Sequence, residues 1–158
     1  FSTLMVSLLG NLPGDESFSV VQFSTTARLV SGLSSAASTL PVIDGLDYTG
    51  GLTNHKAAIE RCQAALPSFG DRKNFIMLIT DGVSSEPGLD PEGEAEAAAT
   101  AAKEEGTFVI PVFISPYNDW TALAFMRRLS SDGKVFDVTD FDSLNGLQDR
   151  LVDQVSCS

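Results

Sequence analysis

The sequence predicts an α/β fold: a doubly wound, mainly parallel sheet with one antiparallel edge strand and helices on both faces. Three observations predict it. Apolar segments of strand length alternate with segments of helical periodicity for most of the chain. One segment, Phe75-Ile76-Met77-Leu78-Ile79, is apolar without interruption, as a strand covered on both faces must be. The first two strand-like segments are separated by little more than Thr25 and Thr26, too short for a crossover, so they pair as a hairpin.

Phe1, Leu4, Met5, Leu8, Leu9 and Leu12 recur at helical spacing until Pro13 and Gly14 stop them. No capping residue precedes Phe1, so the element is expected to begin upstream. Residues 18–24 read as a buried strand and 27–30 as its shorter partner. Residues 34–48 are mixed, with a break at Asp44-Gly45, and lead into a Thr49-Gly50-Gly51-Leu52-Thr53-Asn54 loop. From Asn54 a helix carries Ala58, Ile59, Cys62, Ala65 and Leu66 on one stripe and ends at Pro67. The strand at 74–80 closes on Asp81-Gly82. Asp90 and Pro91 supply a cap and a first-turn proline for an alanine-rich helix stopped by Gly106. A strand at 107–115, a helix at 119–131 and a strand at 135–138 follow. The last helix, capped by Asp140 or Asp142, aligns Leu144, Leu147, Leu151 and Val155.

At 158 residues the chain is expected to be a single domain, 1–158, incomplete at its amino end. Its net charge of −11 argues against nucleic acid and anionic membranes as partners. No apolar run reaches the roughly 20 residues that span a bilayer, so no membrane insertion is expected. There is no glycine-rich phosphate loop, and the single histidine, His55, belongs to no nucleophile-base pattern. The chain is therefore expected not to be an enzyme. Cys62, on an apolar stripe, reads as a buried free thiol; Cys157 lies where a bridge to a residue outside the sequence is possible.

Ligands of doubly wound sheets bind at the carboxyl ends of the strands. Two segments are candidates for that edge, Gly50-Gly51-Leu52-Thr53 and Thr80-Asp81-Gly82. A threonine hydroxyl and an aspartate carboxylate are hard oxygen donors suited to magnesium. Each also has a plainer reading, Thr53 as a helix cap and Asp81 as a turn residue. Gly51, Ser84 and Ser85 would border a ligand there. His55 reads as solvated or capping, and Trp120 with Tyr117 as core edge rather than ligand rim. Asp90, Glu92, Glu94 and Glu96 suit a helix start with a solvated face.

Val20-Val21-Gln22-Phe23-Ser24, then Tyr48-Thr49-Gly50-Gly51-Leu52-Thr53-Asn54, then Phe75 through Gly82, and finally Phe136-Asp137-Val138 before Phe141 resemble the von Willebrand factor A domain in order and spacing. The resemblance implies a Rossmann-like fold and an adhesion or matrix module that binds a protein partner, extracellular or at the cell surface. The alternative is a structural building block that packs against neighbouring domains of an assembly, its metal site vestigial. In that family a metal-ion-dependent adhesion site combines an Asp-x-Ser-x-Ser motif with a glycine-loop Thr and an Asp after the fourth strand. Here the last two would be Thr53 and Asp81, while the motif and the central first strand are absent from this sequence. Magnesium, manganese or calcium is thus implied only if upstream ligands exist. The resemblance further implies that Cys157 bridges to a cysteine ahead of the first strand. An empty central position would orphan backbone groups at about 1 to 3 kcal/mol each, against roughly 5 to 15 kcal/mol of net stability. A strand is therefore expected from an upstream segment or, less readily, from a neighbouring chain.

Overall fold

β-Branched and aromatic residues dominate the strands, and small or unbranched ones the helices, so local preference and final structure agree over most of the chain. A computed structural model describes residues 16–67, 73–115, 117, 119–139 and 150. Strands β1 (Phe18–Phe23) and β2 (Ala27–Ser34) form the expected antiparallel hairpin. Its tight end is closed by the Ser24 amide, which donates to the Thr26 carbonyl at 2.9 Å. Strand β2 runs further than its sequence alone indicates, because register shifts beside Val20 let pairing continue to Phe18 opposite Ser34.

The mixed stretch that follows contains a helix, α1 (Ala36–Asp44). Pro41 disguises it, since an interior proline normally signals a break. Thr39 and Ile43, four residues apart, nevertheless bury one face of α1, and Ile43 packs with Val20 of β1. Helix α2 (His55–Gln63) leads to β3 (Asn74–Thr80), α3 (Pro91–Glu104), β4 (Thr107–Ile114), α4 (Trp120–Leu129) and β5 (Phe136–Val138). Strands β3, β4 and β5 form a parallel sheet in that order, with β3 and β4 in unbroken register from Asn74↔Thr107 to Thr80↔Phe113.

Alternation along the strands separates two cores. Ile76, Leu78, Val109 and Phe113 face α2, α3 and α4, where Ala95, Ala99 and Ala102 let α3 come close and Phe125, Met126 and Leu129 fill the space beside it. Ile110, Val112, Ile114, Phe136 and Val138 are buried on the opposite face. There the Arg150 guanidinium lies 5.1 Å from the Phe136 ring centre. The helices expected at the two ends of the sequence, and Cys157, lie outside the described residues.

The hairpin and the parallel sheet are separate: among the described residues no strand lies between β1 and β3, and these two do not pair with each other. Helix α2 packs against strands of both sheets. Its start is tied to the hairpin turn by the Asn54 amide, which donates to Ser24 O at 2.9 Å, and by Asn54 Nδ2, which donates to Thr25 O at 3.1 Å. None of the described strands supplies the one expected between β1 and β3.

Candidate functional site at the carboxyl edge

The glycine loop is shaped by two residues with positive φ, Gly50 at 59° and Gly51 at 99°. A Cβ on Gly51 would lie 2.8 Å from Thr25 Oγ1, and that same hydroxyl accepts from the Leu52 amide at 3.0 Å. The loop thus rests directly on the hairpin turn. Asn54, not Thr53, caps α2, its Oδ1 accepting from the Ala57 amide at 2.9 Å. The capping reading of Thr53 is overturned by that geometry. Thr53 instead laces two loops together: its amide donates to Ser85 Oγ at 2.9 Å, and its carbonyl accepts from the Ser85 and Glu86 amides at 2.9 and 3.2 Å.

These contacts bring the two candidate donors to one place. A cavity of about 210 Å³ lies between the ends of β1 and β3, lined by Phe23, Ser24, Gly51, Thr53, Thr80 and Asp81 among others. The Thr53 hydroxyl sits 3.5 Å from the position of a Cβ on Gly82, the residue after Asp81. Asp81 is exposed. Of the expected bordering residues, Gly51 and Ser85 are at the surface, whereas Ser84 is buried and turned inward.

Ser84 points at His55, and this departs from the sequence reading. His55 is fully buried rather than solvated. Its Nδ1 lies 2.8 Å from Ser84 Oγ and its Nε2 lies 3.0 Å from Thr80 Oγ1. The Thr80 hydroxyl donates to Gly82 O at 3.1 Å, so its single proton is used there. Each hydrogen then has one acceptor when Nε2 carries the imidazole proton and Nδ1 accepts from Ser84. The ring is held between Phe23 and Phe125, with centroids at 5.6 and 5.7 Å. Burial lowers its pKa to about 4, which keeps it neutral near pH 7.

The loops of this edge expose apolar side chains, two of which, Tyr48 and Leu52, line the cavity. Tyr48, Leu52, Val83, Leu89, Tyr117 and Trp120 are exposed large apolar side chains, and all lie on or beside loops at the carboxyl ends of strands. Among the described residues only Leu33, on β2, is exposed in this way elsewhere. Trp120 and Tyr117 are therefore not core edge. The loops 45–54, 81–90 and 115–119 also carry Asp47, Asp81, Glu86, Asp90 and Asp119 and no lysine or arginine.

The sequence matches the family model of the von Willebrand factor type A domain over residues 1–150. The chain belongs to that family. This VWA domain aligns with proximal thread matrix protein 1 from the mussel byssus at a TM-score of 0.82 and 19% identity, covering 98% of this chain and 39% of that one. A form of the mussel protein with a zinc-occupied MIDAS motif aligns at 0.79 and 21%, covering 99% and 42%. The pilus adhesin SpaC from Lactobacillus rhamnosus GG aligns at 0.81 and 16%, covering 98% and 27%. The chain thus spans less than half the length of each of these proteins. No curated protein matches the sequence.

A divalent cation is implied by the family, and the donors of this VWA domain test it. Among the described residues there is no group of three or more His, Cys, Asp or Glu side chains arranged to hold a metal. Thr53 and Asp81 are oxygen donors at one cavity, but a hard cation takes about six oxygens and neither residue is enclosed. The described donor set does not fit such an ion unaided.

Proposed function

We propose that this VWA domain is a non-enzymatic protein-interaction module, acting outside the cell or at its surface, that docks a protein partner on its carboxyl edge. The observation that carries this reading is the set of exposed apolar side chains on the loops of that one edge, of which Tyr48 and Leu52 line the cavity that holds Thr53 and Asp81. Gly51 and Ser85 belong to its rim. The similar matrix and pilus proteins support an adhesive or assembly role.

In this reading the position between β1 and β3 takes a strand from an upstream segment of the protein or from a neighbouring chain. Such a strand would complete both sheets through their open edges. It would also end beside the cavity. Magnesium, manganese or calcium joins the face only when donors delivered there add to Thr53 and Asp81. The second reading, a building block of an extracellular assembly with a vestigial metal site, is favoured by the small donor set.

Tyr48→Ser with Leu52→Ser, compared with Leu33→Ser on the hairpin, tests the docking face in the full-length protein. Binding to matrix or cell-surface material is expected to fall with the rim pair and survive the hairpin change. Equal binding by all three proteins would contradict the proposal. Loss of binding in EDTA, reproduced by Asp81→Ala, would assign the cation to docking, and binding unaffected by either would favour the vestigial site.

A further inference from the structure

The two loops that make the cavity come from distant parts of the sequence, and a single buried side chain stands between them. His55 follows Thr53 by two residues, and its two nitrogens reach Thr80 and Ser84, which flank Asp81. Both hydroxyls are buried, as is the imidazole, so these contacts have no water to replace them. Beyond Ser84, Ser85 and Glu86 return to the Thr53 backbone through three hydrogen bonds. The ring is wedged between Phe23 of β1 and Phe125 of α4, which fixes the imidazole against the rest of the core.

We infer that His55 is a positioning residue of the docking face, its two ring nitrogens setting the spacing between the Thr53 loop and the Asp81 loop. The effect on partner binding rests on the docking-face reading; the coupling of the loops rests on geometry alone. A phenylalanine could occupy the same aromatic slot but would make neither hydrogen bond to the residues flanking Asp81. A hydrophobic filler would need only the ring, and the pairing of both nitrogens with hydroxyls on either side of Asp81 is the feature that filling does not require.

His55→Phe combined with Ser84→Ala separates positioning from packing in the full-length protein. The pair keeps an aromatic ring between Phe23 and Phe125 and leaves no orphaned Ser84 hydroxyl, while Thr80 retains its hydrogen bonds to Gly82. Hydrogen exchange should be read at the Thr53, Ser85 and Glu86 amides and, as internal reference, at Ile76 and Val109. The three loop amides are expected to exchange faster by roughly tenfold, the free energy of about one buried hydrogen bond, with Ile76 and Val109, whose amide donates to Ser131 Oγ, at wild-type protection. Unchanged protection at the loop amides would overturn the inference and leave His55 a core filler, as would an equal loss at loops and sheet. If rim substitutions leave docking intact, the docking-face reading fails, and the exchange experiment still decides what His55 does.

Discussion

His55 shows how a residue's type can mislead where its position does not. A histidine in the first turn of a helix invites a solvated or capping reading, yet it precedes Ala58 and Ile59 by three and four residues and so lies on the buried stripe of α2. The periodicity was sufficient to place it inside; its partners, Thr80 and Ser84, are set by tertiary contact and could not be read from spacing. Its titration has a defined consequence for stability. The folded pKa is near 4 against 6.5 for the unfolded chain, so as pH falls below 6.5 the unfolded state takes up a proton that the folded state refuses. Stability is intact above 6.5 and declines down to about 4, by about 3 kcal/mol in total. Urea denaturation of wild type and His55→Phe at pH 7 and pH 4.5 checks this: the wild type should lose more stability than the variant over that interval. Gly51 is a second case at this scale. Gly51→Ala combines a φ of 99° with a Cβ 2.8 Å from Thr25 Oγ1, and a destabilisation of about 1 to 3 kcal/mol in the same assay is expected. Cys62 packs against the main core with its thiol pushed up to about 11 by burial. Iodoacetamide at pH 7.5 should therefore label it slowly in the folded protein and rapidly in urea.

Among the elements, those with caps, stops and unmixed periodicity were legible. Asp90 accepts from the Gly93 amide at 3.1 Å, Pro91 opens α3 and Gly106 follows its end with φ of 85°. Asp90→Ala should cost about 1 kcal/mol in thermal or urea unfolding; no loss would mean that the cap contributes nothing to α3. Helix α1 was not legible, because Pro41 looks like a terminator and the helix is held by packing of Thr39 and Ile43 against the hairpin. Pro41→Ala restores an amide donor in the helix interior and should raise stability by about 1 kcal/mol. The length of β2 was also hidden, since its later residues are recruited by their partners on β1 rather than by their own apolar pattern.

At the scale of the molecule, alternation of strands and helices was enough to indicate the doubly wound fold, and the order of the glycine loop and the Asp81 turn placed both at one edge. The cavity itself was not legible, because it arises where two sheets stop short of each other. Neither was the apolar rim, since exposure of Tyr48, Leu89 or Trp120 depends on what surrounds each loop. Acidic residues gather at the same edge partly because helices begin there: Asp90 and Asp119 are caps. Asp47, Asp81 and Glu86 are not, and they give this edge its negative character.

The separation of β1 from β3 among the described residues underlies the cavity and the proposal of a further strand between them. Cross-strand nuclear Overhauser contacts in the full-length protein test it most directly. Contacts from both Val21 and Met77 to a third strand lying between them, with none between β1 and β3, are predicted. Direct contacts running along β1 and β3 would contradict the account.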